Sequence, residues 1–164
     1  MAYTYKQIKL RFWEFLPLLL LFFISLNGNS IVDFKIFSIN VHYIFVYFWV
    51  LRKPEAMGYG FIFLSGLISD VVYGLPLGIN ALSLLIIAAM AAYVRVVTVR
   101  ITLLNDCISF LPALLVGNLI YFLSLYFSNI AIDYLFLFKN SFFTFVFYPV
   151  LWMFFSLMIQ FTKS

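Results

Sequence analysis

The 164-residue chain has one cysteine, Cys107, and one histidine, His42. A lone cysteine closes no internal disulfide, and without CxxC pairs or a second histidine there is no zinc-type ligand set. Charge is scarce too: Asp, Glu, Lys and Arg make up 10% of the residues, against roughly 25% in an ordinary soluble domain. Neither a Walker-type phosphate loop nor a Gly-rich dinucleotide turn is present. An intramembrane serine protease needs a serine with a general base, typically histidine, in reach, and an aspartyl protease needs two carboxylates in one site. The apolar segments hold one histidine and one well-embedded aspartate, Asp70. These absences point away from an enzyme and from any resident metal or cofactor.

What is abundant is apolar surface. Hydrophobic residues make up 66% of the chain, 22 of the residues are phenylalanine, and the mean hydropathy is +1.11. A chain this small leaves much of its surface exposed, and no water-soluble surface can be made from this composition. The solvent is therefore lipid, and residues 1–164 read as one polytopic membrane unit. The net charge of +4 and a pI near 9.2 do not indicate nucleic acid, since no soluble module presents a basic face.

A span needs about 20 mostly apolar residues. Six segments approach this: Phe12 to Leu26, Ile36 to Leu51, Met57 to Tyr73, Pro76 to Val94, Cys107 to Phe127 and Phe142 to Phe161. The first two are short, and charge placement decides whether they cross. If all six do, with both termini cytoplasmic, the inner side receives Lys6, Lys9, Arg11, Arg52, Lys53, Arg95, Arg100 and Lys163. The outer side receives Lys35 and Lys139. That bias follows the positive-inside rule and is scrambled if an early segment fails to span. The expected fold class is thus all-α integral membrane, with six transmembrane helices.

The N-terminal charges before Leu16 to Leu26 resemble a signal peptide, but Asn27-Gly28-Asn29-Ser30 carries no small-x-small cleavage pattern, so the segment reads as an uncleaved first helix. Arg52-Lys53-Pro54 stops the second helix. Gly74-Leu75-Pro76 turns the third into the fourth, with Pro76 at a first helical position. Trp13, Trp49, Tyr73, Tyr93 and Tyr126 lie near segment ends, as an interfacial aromatic belt requires. The connection from Ser128 to Ser141 carries an apolar Tyr134 to Phe138 stretch that fits the outer interface. Tyr148-Pro149 predicts a kink in the sixth helix.

Asp70 lies one turn inside the outer end of the third helix, where a charge costs about 2.5–3.5 kcal/mol at the centre of a span and less toward its end. It precedes Leu75 by five residues and Asn80 follows by five, so an antiparallel hairpin brings both to one depth. They read first as a polar clasp, second as a proton or substrate site. Gly66, Asp70 and Gly74 form one small-residue stripe and Ala81, Ala88 and Ala92 another; both read as close helix approach before a ligand groove, and the alanine stripe also as a docking face. Gly74 and Gly78 are read as close-packing positions as well. His42 reads as an interhelical contact. Asn118, Tyr121 and Ser124 either line a cavity or bond across helices.

Two stretches carry a family resemblance. One is Tyr47-Phe48-Trp49-Val50-Leu51-Arg52-Lys53-Pro54; the other runs from Gly66 to Leu82. Together they resemble the rod-shape-determining protein MreD family, whose pattern is an aromatic pair before a proline and then G-L-x-x-D-x-x-x-G-x-P-L-G-x-x-A-L. The chain matches at Gly66, Leu67, Asp70, Gly74, Pro76, Leu77, Gly78, Ala81 and Leu82, and departs at Phe48, where the family has tyrosine. The resemblance implies a non-catalytic, multi-pass component of the bacterial inner membrane. Such a component works in the elongation (rod) complex with MreC, MreB, RodA and a class B penicillin-binding transpeptidase, organising lateral peptidoglycan synthesis and cell shape. It also implies a fold similar to the substrate-binding components of energy-coupling-factor transporters. The rival expectation is a vitamin-binding transporter subunit using Asp70, Asn80 and Asn118; against it stands the scarcity of convergent polar groups in the sequence.

Overall fold

The protein is described by a computed structural model that covers residues 2–27, 39–98, 102–130 and 133–163, with side chains from 15 to 160 among them. It is all-helical, with no strand among the described residues. Six helices follow in order: α1 Ala2–Asn27, α2 Val41–Arg52, α3 Tyr59–Val72, α4 Ile79–Val97, α5 Leu103–Phe127 and α6 Tyr134–Lys163. A 3₁₀ turn, Pro54–Ala56, follows α2. Three helices, α4, α5 and the stretch Tyr134–Gln160 of α6, are long and apolar enough to cross a membrane.

Outward faces agree with lipid contact. Phe142, Val146, Val150, Met153 and Leu157 follow one another at helical spacing on α6, and all are exposed. On α5 the same holds for Leu104, Ile108, Leu111, Leu115 and Leu119. In a water-soluble bundle such stripes face the core; here they face out.

The shortest helix is the most buried. With 12 residues, α2 reaches only about 18 Å at 1.5 Å per residue, less than the ~30 Å hydrocarbon layer. Every residue from Tyr43 to Leu51 is buried, because α2 packs against α1, α4 and α6 and touches α5 through Tyr47, whose ring lies 5.0 Å from that of Phe110. A helix apolar on all sides belongs in the core. Shielded by its neighbours, α2 need not match the bilayer thickness.

Several expected boundaries shift. Pro76 is not the first residue of α4 but part of the preceding turn. The helix starts at Ile79 behind Gly78, whose φ of 108° ends the turn. Tyr134 to Phe138 is not part of a loop connection but forms the first turns of α6. The fifth helix begins at Leu103, four residues early, capped by the Thr102 hydroxyl, which accepts from the Asn105 N–H at 3.4 Å. The end of α2 at Arg52, before Lys53 and Pro54, is where the sequence places it. The Gly28 to Ser30 segment, Lys35, the expected start of the second helix at Ile36, and Arg100 lie outside the described residues. So do the side chains of Lys6, Lys9, Arg11, Trp13 and Lys163.

Candidate functional site

The α3–α4 turn is built around one carboxylate. Asp70 is fully buried and accepts from the Gly78 N–H at 2.7 Å, the Asn80 N–H at 2.8 Å and the Asn80 side-chain amide at 2.9 Å. The first turn of a helix carries N–H groups without intrahelical partners and a partial positive charge. Gly78, the residue before α4, has no side chain to cap it. Asp70 caps α4 from the neighbouring helix, so its charge meets three donors and a favourable dipole.

The flanking glycines act in two ways. A Cβ on Gly66 would fall onto the backbone of Ala81, so α3 and α4 approach here to a distance only glycine permits. Gly74 and Gly78, by contrast, face open space and have φ of 63° and 108°. Close packing is therefore not their role; they supply left-handed backbone. A third close approach escaped the sequence reading. A Cβ on Gly117 in α5 would lie 2.6 Å from Ile87 Cδ1, and the visible signal was an isolated glycine inside an apolar helix.

The alanine stripe is used inside the chain. Ala81 and Ala88 are fully buried, and Ala92 is packed against the core, so the stripe is not a docking face. The period of α4 placed these residues on one side, and α2, α3 and α5 cover it.

His42, near the start of α2, joins three helices. Its Nε2 lies 3.4 Å from the Ser25 hydroxyl of α1 and 3.3 Å from the Ser65 hydroxyl of α3, and its Nδ1 lies 3.5 Å from Ser69. Each serine hydroxyl also reaches a backbone carbonyl of its own helix: Leu21, Ile62 and Ser65 respectively. A neutral imidazole donates from one nitrogen and accepts at the other, so the tautomer of His42 sets which hydroxyl accepts from the ring and which donates to it. Nearby, Asn40 caps α2 by accepting from the Tyr43 N–H at 3.1 Å, and its own N–H donates to Thr144 Oγ1 of α6 at 2.8 Å. Thr144 donates in turn to Asn140 at 3.1 Å.

A cavity of about 270 Å³ opens above this cluster. Asn40, just before α2, meets Thr144, and α6 continues ten residues beyond Thr144, about 15 Å at the helical rise, so α6 walls the space above the start of α2. Polar lining comes from Asn40, His42, Ser69, Asn80, Asn118 and Asn140, and rings come from Tyr43, Tyr73, Tyr121 and Phe136. Asn118 also donates to Ser141 at 2.8 Å across to α6. Asn80, Asn118 and Tyr121, singled out in the sequence, thus share one site. Ser124 does not line it; its carbonyl accepts from Ser128 at the end of α5. Polar groups converge here from α2, α3, α4, α5 and α6, contrary to the expected scarcity, because recession of α2 brings together residues far apart in the chain.

A second cluster lies at the opposite end of α2. Asp106, in the first turn of α5, is 1% exposed, so Asp70 is not the one embedded carboxylate. Asp106 Oδ2 accepts from Trp152 Nε1 at 2.6 Å and lies 3.5 Å from Arg52 Nη2. The guanidinium sits over the Phe48 and Trp152 rings, 4.9 and 4.6 Å from their centroids. Arg52, expected only as a flanking charge, is half-buried and paired with the buried Asp106.

Among the described residues no group of His, Cys, Asp and Glu is placed to hold a metal ion. Compared with known proteins, the chain matches no family model, no curated protein and no solved structure.

Proposed function

We propose that the chain is a six-span inner-membrane protein, both termini cytoplasmic, that acts as a non-catalytic component of the bacterial elongation complex. One observation carries the reading. The run from Gly66 to Leu82, which resembles the MreD family, folds as one device in which Gly66, Asp70, Gly74 and Gly78 each answer a requirement of the backbone: close approach to Ala81, capping of α4, and two positive φ angles. Resemblance and geometry therefore fall on the same residues. The partners on this reading are an MreC-like bitopic protein and, in the wider complex, MreB, RodA and a class B penicillin-binding transpeptidase. Since the alanine stripe is buried, such contacts fall to outward faces, where helices associate in lipid by packing.

The test is depletion in the native rod-shaped bacterium. Cells are expected to round up with lateral wall synthesis delocalised, and the protein to co-purify in mild detergent with the MreC-like partner. Depleted cells that stay rod-shaped but lose uptake of one vitamin would replace this reading with that of a transporter subunit.

A further inference from the structure

The cavity above α2 is not required by a scaffold and does not rest on that reading. Its volume of about 270 Å³ equals that of about nine liquid waters, near the lower end of small-molecule sites. Among the described residues no Asp, Glu, Lys or Arg lines it. The nearest embedded carboxylate, Asp70, is buried and turned to the first N–H groups of α4. Among the described lining residues an anion would meet no fixed cation and a cation no unpaired carboxylate, and an unpaired charge in such surroundings is costly. His42 is the one basic side chain among the described lining residues, and its ring faces serine hydroxyls.

Uncharged hydrogen-bonding capacity, in contrast, is concentrated here. Asn80 directs its side-chain N–H to Asp70 and Asn118 directs its own to Ser141; an amide carbonyl accepts two bonds, so both residues keep acceptors at the cavity wall. Tyr121 adds a hydroxyl, and the Tyr43, Tyr73 and Phe136 rings add aromatic surface. Tyr73 and Phe136 are also exposed to the exterior, which places the mouth between the α3–α4 turn and the first turns of α6. We infer that this cavity is a binding site for an uncharged small molecule with an aromatic ring and amide-type hydrogen-bond donors. The ring lies against tyrosine and phenylalanine faces, and the donors meet Asn80 and Asn118.

Three probes of one shape and different charge test this: benzamide, benzoate and benzylamine, titrated at neutral pH against the full chain in phosphatidylcholine nanodiscs, with binding read by ligand-observed saturation-transfer NMR. Benzamide is expected to bind saturably, about tenfold tighter than either charged probe. Tyr121→Phe, which removes one hydroxyl, and Asn118→Leu are each expected to weaken it severalfold, and Leu84→Trp, which fills the cavity from α4, to abolish it. Should Asn118→Leu or Leu84→Trp fail to fold, Tyr121→Phe alone decides. Equal affinity for all three probes, benzamide binding unchanged by Tyr121→Phe, or no saturable benzamide binding at millimolar concentration would each overturn the inference and leave a water-filled space. Cell shape is read separately, so this site and the scaffold reading fail independently.

Discussion

Asn80 gives Asp70 two hydrogen bonds through one carboxylate oxygen, one from its backbone at 2.8 Å and one from its side chain at 2.9 Å. The second oxygen takes the Gly78 N–H at 2.7 Å. Helix start and helix partner are thus fastened by a single group, which makes Asp70 a structural residue first. Hydrogen bonds between membrane helices average about 0.6 kcal/mol each, so Asp70→Ala should lower stability by roughly 2 kcal/mol. Asn80→Ala removes one bond and should cost about a third of that. Thermal unfolding of the purified variants in detergent measures both. An Asp70→Ala protein of unchanged stability and level that no longer supports rod shape would make Asp70 functional instead.

The glycines separate by mechanism. At Gly66 an added side chain meets the Ala81 backbone, and such overpacking costs about 1–3 kcal/mol, rising with size as the helices are forced apart. At Gly74 and Gly78 the space is open and the φ positive, so the cost is conformational, about 1–2 kcal/mol for any L side chain. Gly66→Leu should therefore be far worse than Gly66→Ala, whereas Gly74→Leu and Gly74→Ala should unfold at nearly the same temperature. A steep size dependence at Gly74 would contradict the open turn.

At the other end of α2, Asp106 is held by Trp152 and Arg52. Removing one member of a buried pair leaves the other uncompensated, at about 3–5 kcal/mol. Arg52 keeps some exposure, its side chain being 19% accessible, so Asp106→Ala should sit at the lower end, about 3 kcal/mol. Trp152→Phe keeps a ring under the guanidinium and loses one bond to a charged group, about 1.5–3 kcal/mol. Joint Arg52→Met and Asp106→Leu should recover most of the loss. A double-mutant cycle with no coupling between Arg52 and Asp106 would show that the contact contributes nothing.

Which of these features the sequence revealed depends on distance along the chain. Asp70 and Asn80 flank one short turn, so equal offsets from Leu75 were enough to place them together. Helix existence followed from long apolar runs in the same way. The start of α4 is not legible in the sequence because Pro76 suits a first helical turn as well as the loop it occupies, and the choice is made by the backbone of Gly78. The cavity was illegible for another reason: Asn40, Asn80, Asn118 and Asn140 lie on different elements, and their convergence depends on how deep α2 sits. Asp106 met Arg52 and Trp152 across 54 and 46 positions, and no periodicity reports such a pairing.

The six-span proposal makes a prediction about which ends face outward. The structure places Arg52, Asp106 and Trp152 at one end of the helices and the α3–α4 turn, Asn40 and the cavity at the other. Basic residues in the sequence favour the Arg52 end as cytoplasmic. In a Cys107→Ala background, single cysteines replacing exposed residues at each end report the sidedness: Ser128→Cys and Lys139→Cys near the cavity end, Glu55→Cys and Asn105→Cys at the other. An impermeant thiol reagent applied to intact spheroplasts should label the first two and spare the second two until the membrane is opened. Reaction of Glu55→Cys from outside would mean that α1 and α2 do not both cross. The Arg52 end would then not be cytoplasmic, and both the six-span topology and much of the resemblance would go with it.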